Sequence, residues 1–309
     1  MMRRILAMAI ATLAVAAMAG AAAAASMPVK IANGAAWTFT VKHTRDRERG
    51  GKHESLSMTT VKQVTWRAGK EGSGILEVKP VSVTMDAGLP ENLVAARDLE
   101  IPVSIAVDEA LTPVRLVNVG EVRTAFDAML KRVDVDPKAA AQLKQMFPNL
   151  EDATLAAVTT QDFARVALAQ GATLDLGQER TYDDQALNPL GGPPISTKGS
   201  VRLESYDEKA GHAVVLWRLT MDPASTQASL TATMNRVMAQ LPPDKAEKAR
   251  GMFAKMKIER NDACRYQIDI PTGLAVEVDC TTTVVAGAEG QLLRASDHWL
   301  ITQTLPKAL

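Results

Sequence analysis

Apolar and polar residues alternate strictly through "CRYQIDIPTGLAVEVDC", residues 264–280. Cys264, Tyr266, Ile268 and Ile270 share one side of the first stretch. Leu274, Val276, Val278 and Cys280 share one side of the second. Period two is the signature of a half-buried strand. Pro271-Thr272-Gly273 between them is turn chemistry, because proline presets φ and glycine accepts a left-handed backbone. Folding there predicts Ile270 opposite Leu274, Ile268 opposite Val276, Tyr266 opposite Val278 and Cys264 opposite Cys280. Directly opposed residues lie within disulfide reach. The two cysteines are therefore expected to form a cross-strand bridge.

The same alternation recurs along the chain. Trp37, Phe39, Val41 and His43 share a face in "WTFTVKH". So do Ile101, Val103, Ile105 and Val107 in "IPVSIAV", and Ala213, Val215, Trp217 and Leu219 in "AVVLWRL". Further strands are predicted around 55–66, 75–85, 114–119, 173–180, 200–206, 281–286 and 291–304. Turn signals such as "RERGGK", "NPLGGPP" and "DEKAG" separate them. Many strands with short connections and one apolar face indicate antiparallel sheet.

Two blocks switch to helical spacing. Val122, Phe126, Met129, Leu130 and Val133 line one face of the first. Asp136 and Pro137 then suit the start of a second helix ending near Phe147. "QDFARVALAQ" reads as a third helix, with Thr160 as cap and Gly171 past its end. In the later block, Leu230, Met234, Val237, Met238 and Leu241 align. The chain turns at Pro242-Pro243 and continues through Met252, Phe253 and Met256. Each block is helix, proline turn, helix, and the preceding segments rhyme ("VKPVSVTMD" against "VVLWRLTMD"). An internal duplication is one explanation. Two helix hairpins packed independently on a sheet is the other.

The fold class expected is α+β: a mainly antiparallel, curved sheet or half-barrel with two helix-hairpin insertions. The divisions expected are a leader over 1–25, a sheet half over 26–170 with helices at about 121–170, and a second sheet half over 171–309 with a helix pair at about 224–256. The alternative is that the two halves form one continuous domain.

The leader rests on the N-terminal pattern. Arg3 and Arg4 precede an apolar run from Ile5 to Ala19, and small residues follow up to Ala25. This is the layout of a cleaved secretory signal. No cysteine lies near the junction for lipid attachment, and no later stretch is apolar and long enough to span a bilayer. A periplasmic or secreted location is expected, where a disulfide persists. Lys plus Arg and Asp plus Glu are 35 each in the whole chain. A near-neutral chain has no electrostatic footprint for nucleic acid.

Candidate chemistry changes the picture little. No Gly-x-Ser-x-Gly, Ser-x-x-Lys, Walker or Rossmann loop occurs. His43, His53, His212 and His298 show no metal-ligand spacing, so neither a metal nor a cofactor is expected. Ser296-Asp297-His298 resembles a triad only in composition, because strand neighbours point to opposite faces. "RDRERGGKHE", a charged hairpin that holds His53 and Glu54, reads as a solvated loop rather than a site, and Asp183-Asp184 as turn-like and non-specific. Methionine is the more informative residue: Met221, Met234, Met238, Met252 and Met256 fall in one short region. Its flexible thioether suits core gaps and adaptable apolar surfaces alike. If the helices form a lid over the sheet, the apolar groove between them has Trp37, Phe39, Trp66, Trp217 and Tyr266 on its sheet side. Met234, Met238, Met252 and Met256 stand on its helix side.

An exported antiparallel sheet with helix pairs laid across it resembles the half-barrels of periplasmic lipoprotein carriers. The resemblance covers most of the mature chain as an order of elements, and no motif carries it. It implies acyl chains held between a curved sheet and covering helices. The function expected is non-enzymatic binding of an apolar ligand, such as a lipid or a lipidated protein, in the cell envelope. Two alternatives stand beside it: an adaptor that binds other envelope proteins, and an enzyme whose catalytic groups converge without a motif.

Overall fold

A computed structural model describes residues 24–70, 72–86, 101–132, 152–186, 194–238, 256–287 and 292–305. The strands are β1 (Ala25–Ser26), β2 (Ala36–Arg49), β3 (Lys52–Ala68), β4 (Gly74–Met85), β5 (Val103–Val107), β6 (Pro113–Leu116), β7 (Thr173–Leu174), β8 (Glu179–Ala186), β9 (Ile195–Asp207), β10 (His212–Met221), β11 (Lys257–Asp269), β12 (Leu274–Gly287) and β13 (Leu293–Gln303). The helices are α1 (Val119–Arg132), α2 (Asp152–Thr159), α3 (Gln161–Ala167) and α4 (Pro223–Met238).

Eleven strands form one curved antiparallel sheet in the order β6-β5-β4-β3-β2-β13-β12-β11-β10-β9-β8. Each strand pairs with its sequence neighbour, except at the centre. There β13, near the C-terminal end, pairs with β2 along Leu293↔Arg49 through Gln303↔Phe39. Among the described residues β6 and β8 stand at opposite ends of the order with no further strand partner, and the sheet is not closed. This is the α+β class that the alternation predicts.

The face carrying Trp37, Phe39 and Val41, here called the inner face, holds the core. Val64, Leu76, Ile105, Val215, Tyr266, Ile268, Val278 and Ile301 are all buried with them. The opposite face is polar, with Lys42, Arg265 and Asp279 exposed. Such one-sided burial is what strict alternation encodes. Helix α3 packs onto the inner face: Phe163 stacks on Phe39 with ring centroids 4.5 Å apart. The Tyr266 hydroxyl donates to the Arg165 carbonyl at 3.1 Å. Met27 is fully buried and pairs its backbone N–H with the Ala172 carbonyl.

Several sequence expectations shift. The hairpin keeps Cys264↔Cys280 and Tyr266↔Val278, but Ile268 faces Ala275 and Asp269 faces Leu274. A bulge after Gln267 absorbs one residue. The cause is Asp269, whose carboxylate accepts from the Thr272 N–H at 3.0 Å and from its hydroxyl at 2.6 Å. The loop is thereby closed one residue early. Gly273 has φ +68, and a Cβ there would overlap the Pro28 carbonyl. Ala275 is consequently buried and Val276 is only half-buried.

The charged run "RDRERGGKHE" forms the expected hairpin, but it is strand rather than loop up to Arg49 and from Lys52 onwards. Gly50 and Gly51 take φ +57 and +76, the two positive values of a two-residue hairpin turn. Asp183 and Asp184 lie within β8 rather than in a turn. The strand expected at 173–180 is divided between β7 and β8, and 281–286 is the continuation of β12. α3 ends at Ala167, and Thr160 does not cap it: its hydroxyl donates back to the Ala156 carbonyl of α2, a helix the spacing did not predict. Met256 immediately precedes β11 and is not helical. The helix expected near 137–147, the Pro242-Pro243 turn and Met252 lie outside the described residues.

Candidate ligand-binding face

Cross-strand register arranges the inner face in rows, because directly paired residues point the same way. One row runs Trp217, Cys264, Cys280, Trp299, His43 and Met58 across β10, β11, β12, β13, β2 and β3. Its centre carries the Cys264–Cys280 disulfide, with Cα atoms 4.1 Å apart. Trp299 stacks on His43 at 4.6 Å.

The sequence candidates occupy the inner face but in different settings. Trp37, Phe39, Trp66, Trp217 and Tyr266 are buried and belong to one core cluster. Trp37 donates from Nε1 to Gln303 at 2.7 Å, and Trp217 donates to the Tyr182 hydroxyl. Burial pushes the Tyr266 and Tyr182 hydroxyls above the ordinary phenol pKa. On α4, Met238 is buried and Met234 is half-buried. Helix α4 packs against β9 and β11, and Met256 is half-buried at the start of β11.

A polar belt, missed by the sequence reading, crosses the inner face next to these aromatics. Asp297 accepts from His43 Nε2 at 2.8 Å and from Arg45. Burial alone would raise its pKa, but the hydrogen bonds from Arg45 and His43 outweigh that and hold it below the usual carboxylate range. Asp262 is buried and accepts from the Thr282 hydroxyl and from Arg260 Nε. The Arg165 guanidinium of α3 lies 3.8 Å over the Trp299 ring and 3.7 Å from Asp162. Asp162 is also 3.7 Å from Lys62. Burial lowers the Arg165 pKa, with Asp162 acting the other way. Its Nη1 is buried and has no hydrogen-bond partner among the described residues. The signal for this belt was the interruption of apolar alternation by His43-x-Arg45 and Asp297-x-Trp299. Pairing across strands far apart in sequence was needed to read it.

Beyond the belt the inner face turns apolar again. Val284 lies between Ala295 and Arg260, and Ala286 lies between Leu293 and Ile258. The five apolar residues of this strip, Ile258, Val284, Ala286, Leu293 and Ala295, are half-buried rather than sealed. The polar face holds a shallow depression of about 220 Å³ near Leu216, Arg218, Arg265 and Asp279. Among the described residues no three His, Cys, Asp or Glu side chains converge as metal ligands. No helix there is long and apolar enough to cross a membrane.

No family model matches the chain, and no curated protein matches it. Several solved structures are similar in part, among them these two. One, of lipovitellin and its lipid–protein interactions, has 9% identity over 90% of this chain, with a TM-score of 0.47. This chain spans 26% of the lipovitellin chain. The other, OccK11 (OpdR) of Pseudomonas aeruginosa, has 6% identity over 89% of this chain and 98% of its own, with a TM-score of 0.20.

Proposed function

We propose that this protein is exported to the cell envelope and binds the acyl portion of a lipid or lipidated protein on the inner face of its sheet, without catalysing a reaction. The observation that carries the reading is the half-buried apolar strip of Ile258, Val284, Ala286, Leu293 and Ala295 beyond the polar belt. A folded domain gains by covering such a strip, and a row of aliphatic side chains accepts methylenes without demanding hydrogen bonds. The half-buried Met234 on α4 offers a flexible thioether of the kind that adapts to varied chains. The leader pattern and the Cys264–Cys280 disulfide support an oxidising compartment. The test is native mass spectrometry of protein purified without detergent, followed by solvent extraction and titration with lysophosphatidylcholine below its micelle concentration. An extracted acyl species, and saturable binding that Val284→Asp abolishes without lowering the melting temperature, are expected. A clean protein mass together with no saturable binding overturns the reading.

The open ends of the sheet favour a second reading, an adaptor for other envelope proteins. Edge strand β6 exposes Val114 at 68%, and unpaired strand edges recruit extended partners. A protein crosslinked to β6 in the envelope, with no extractable lipid, supports the adaptor over the carrier.

A further inference from the structure

The extension of β2 and β3 past the polar belt segregates charge between the two faces of the sheet. Arg45 points inward, since it bonds Asp297 beside the buried Trp299. Alternation then puts Arg47 and Arg49 on the inner face, and Asp46 and Glu48 on the outer one. Register places Lys52 opposite Arg49, and His53 opposite Glu48. His53 lies 3.8 Å from Asp46, as expected of two outer residues. On the inner face Arg45 is matched by Asp297, and Arg47 stands opposite Glu54. Arg49 and Lys52 stand opposite each other, with no acid in their row among the described residues.

That row does not stop at the ribbon. It continues from Arg49 to Leu293, Ala286 and Ile258 across β13, β12 and β11. Arg49 and Lys52 are exposed, and the three apolar residues are half-buried. At about 4.8 Å per strand the track from β2 to β11 is about 14 Å long. Cations at one end and aliphatic side chains along the rest match a molecule with an anionic head and a hydrocarbon tail. Two like charges directly opposed repel each other, and an oxyanion between them removes that repulsion while gaining charge-assisted hydrogen bonds.

We propose that the ligand is an acyl amphiphile with an anionic headgroup, its oxyanion held by Arg49 and Lys52 with Arg47 beside them, and its chain laid along Leu293, Ala286 and Ile258. This rests on the acyl-binding reading above and adds the headgroup to it. The charged run is then a recognition element, built where strand alternation gathers the cations on the apolar side.

The experiment compares lysophosphatidylglycerol, lysophosphatidylcholine and glycerol 3-phosphate by isothermal titration in low salt, with the same acyl chain on both lysolipids. The anionic lysolipid is expected to bind about tenfold or more tighter than the zwitterionic one, a margin that shrinks as salt is raised. Arg49→Gln with Lys52→Gln should erase the margin between the two lysolipids, both of which still bind through the acyl chain. Both positions are exposed, and the melting temperature checks that the fold is intact. Equal binding of the two lysolipids, or a margin that survives the double substitution, overturns the headgroup assignment and leaves acyl binding standing. Glycerol 3-phosphate binding as tightly as lysophosphatidylglycerol makes the site one for free phosphate esters and also overturns it. Binding of neither lysolipid overturns both proposals.

Discussion

Asp297 sits at the middle of the inner face with side chains donating to it from β2 on two sides, His43 and Arg45. It is a buried acceptor in the region where apolar packing gives way to charge. Its folded-state pKa is depressed. Its contribution to stability is therefore complete above the unfolded carboxylate value of about 4, and is lost as pH falls through the lower folded value. Asp297→Asn should cost about 1–3 kcal/mol at neutral pH, since it leaves a part-buried arginine and histidine short of an anion. It should also flatten the fall of melting temperature below pH 4. Thermal melts of the two proteins between pH 3 and 7 check this, and parallel curves refute it. Arg165 shows the complementary situation, a cation buried by a short helix and spread over an indole ring.

At the scale of elements, the β11–β12 hairpin shows how far periodicity can be trusted. Alternation alone places Cys264 opposite Cys280, and the pairing holds because the register between Tyr266 and Val278 is regular. Nearer the turn, one carboxylate decides the register. Asp269 closes the loop early and the strand absorbs the difference as a bulge. The disulfide closes a loop between residues 16 apart. Replacing both cysteines with serine should lower stability by about 3 kcal/mol in oxidising buffer. Reducing the wild type should shift its intact mass by two hydrogens and lower its melting temperature to that of the variant. No mass shift on reduction sinks the bridge. The β2–β3 ribbon teaches a different point. Dense charge suggested a solvated loop, yet alternate positions of a strand can be charged on both faces where neither face is sealed.

For the molecule as a whole, the decisive contact is β13 with β2. Without it the chain would read as two meanders, β2 to β6 and β8 to β13. With it, one core runs from Ile105 through Phe39 and Ile301 to Val215. We expect a single cooperative unfolding transition. Tryptophan fluorescence reports Trp37 and Trp66 on one side of the junction, and Trp217 and Trp299 on the other. Far-ultraviolet circular dichroism reports the strands. Coincident urea curves are expected, and separated midpoints would divide the chain into two independently folding halves.

The sequence by itself determined the local facts. It specified which residues alternate, that the sheet is antiparallel with one buried face, where helices α1 and α4 lie, and which cysteines meet. These depend on periods of two and of 3.6 and on turn residues, all read within a few positions. It placed the aromatic candidates together on the face that holds the core. Tertiary structure decided which parts of that face are sealed and which stay open. Phe39 and Tyr266 are sealed by α3, whereas Val284 and Ala286, which no motif marked, stay half-open. Asp297 becomes a belt residue only beside Arg45 and His43, more than 250 positions away in sequence. The sign of charge on each face of the ribbon follows from alternation, but its adjacency to an aliphatic track follows from the β13–β2 pairing. Long-range register brings together side chains that chain separation keeps apart, and no local period carries that information.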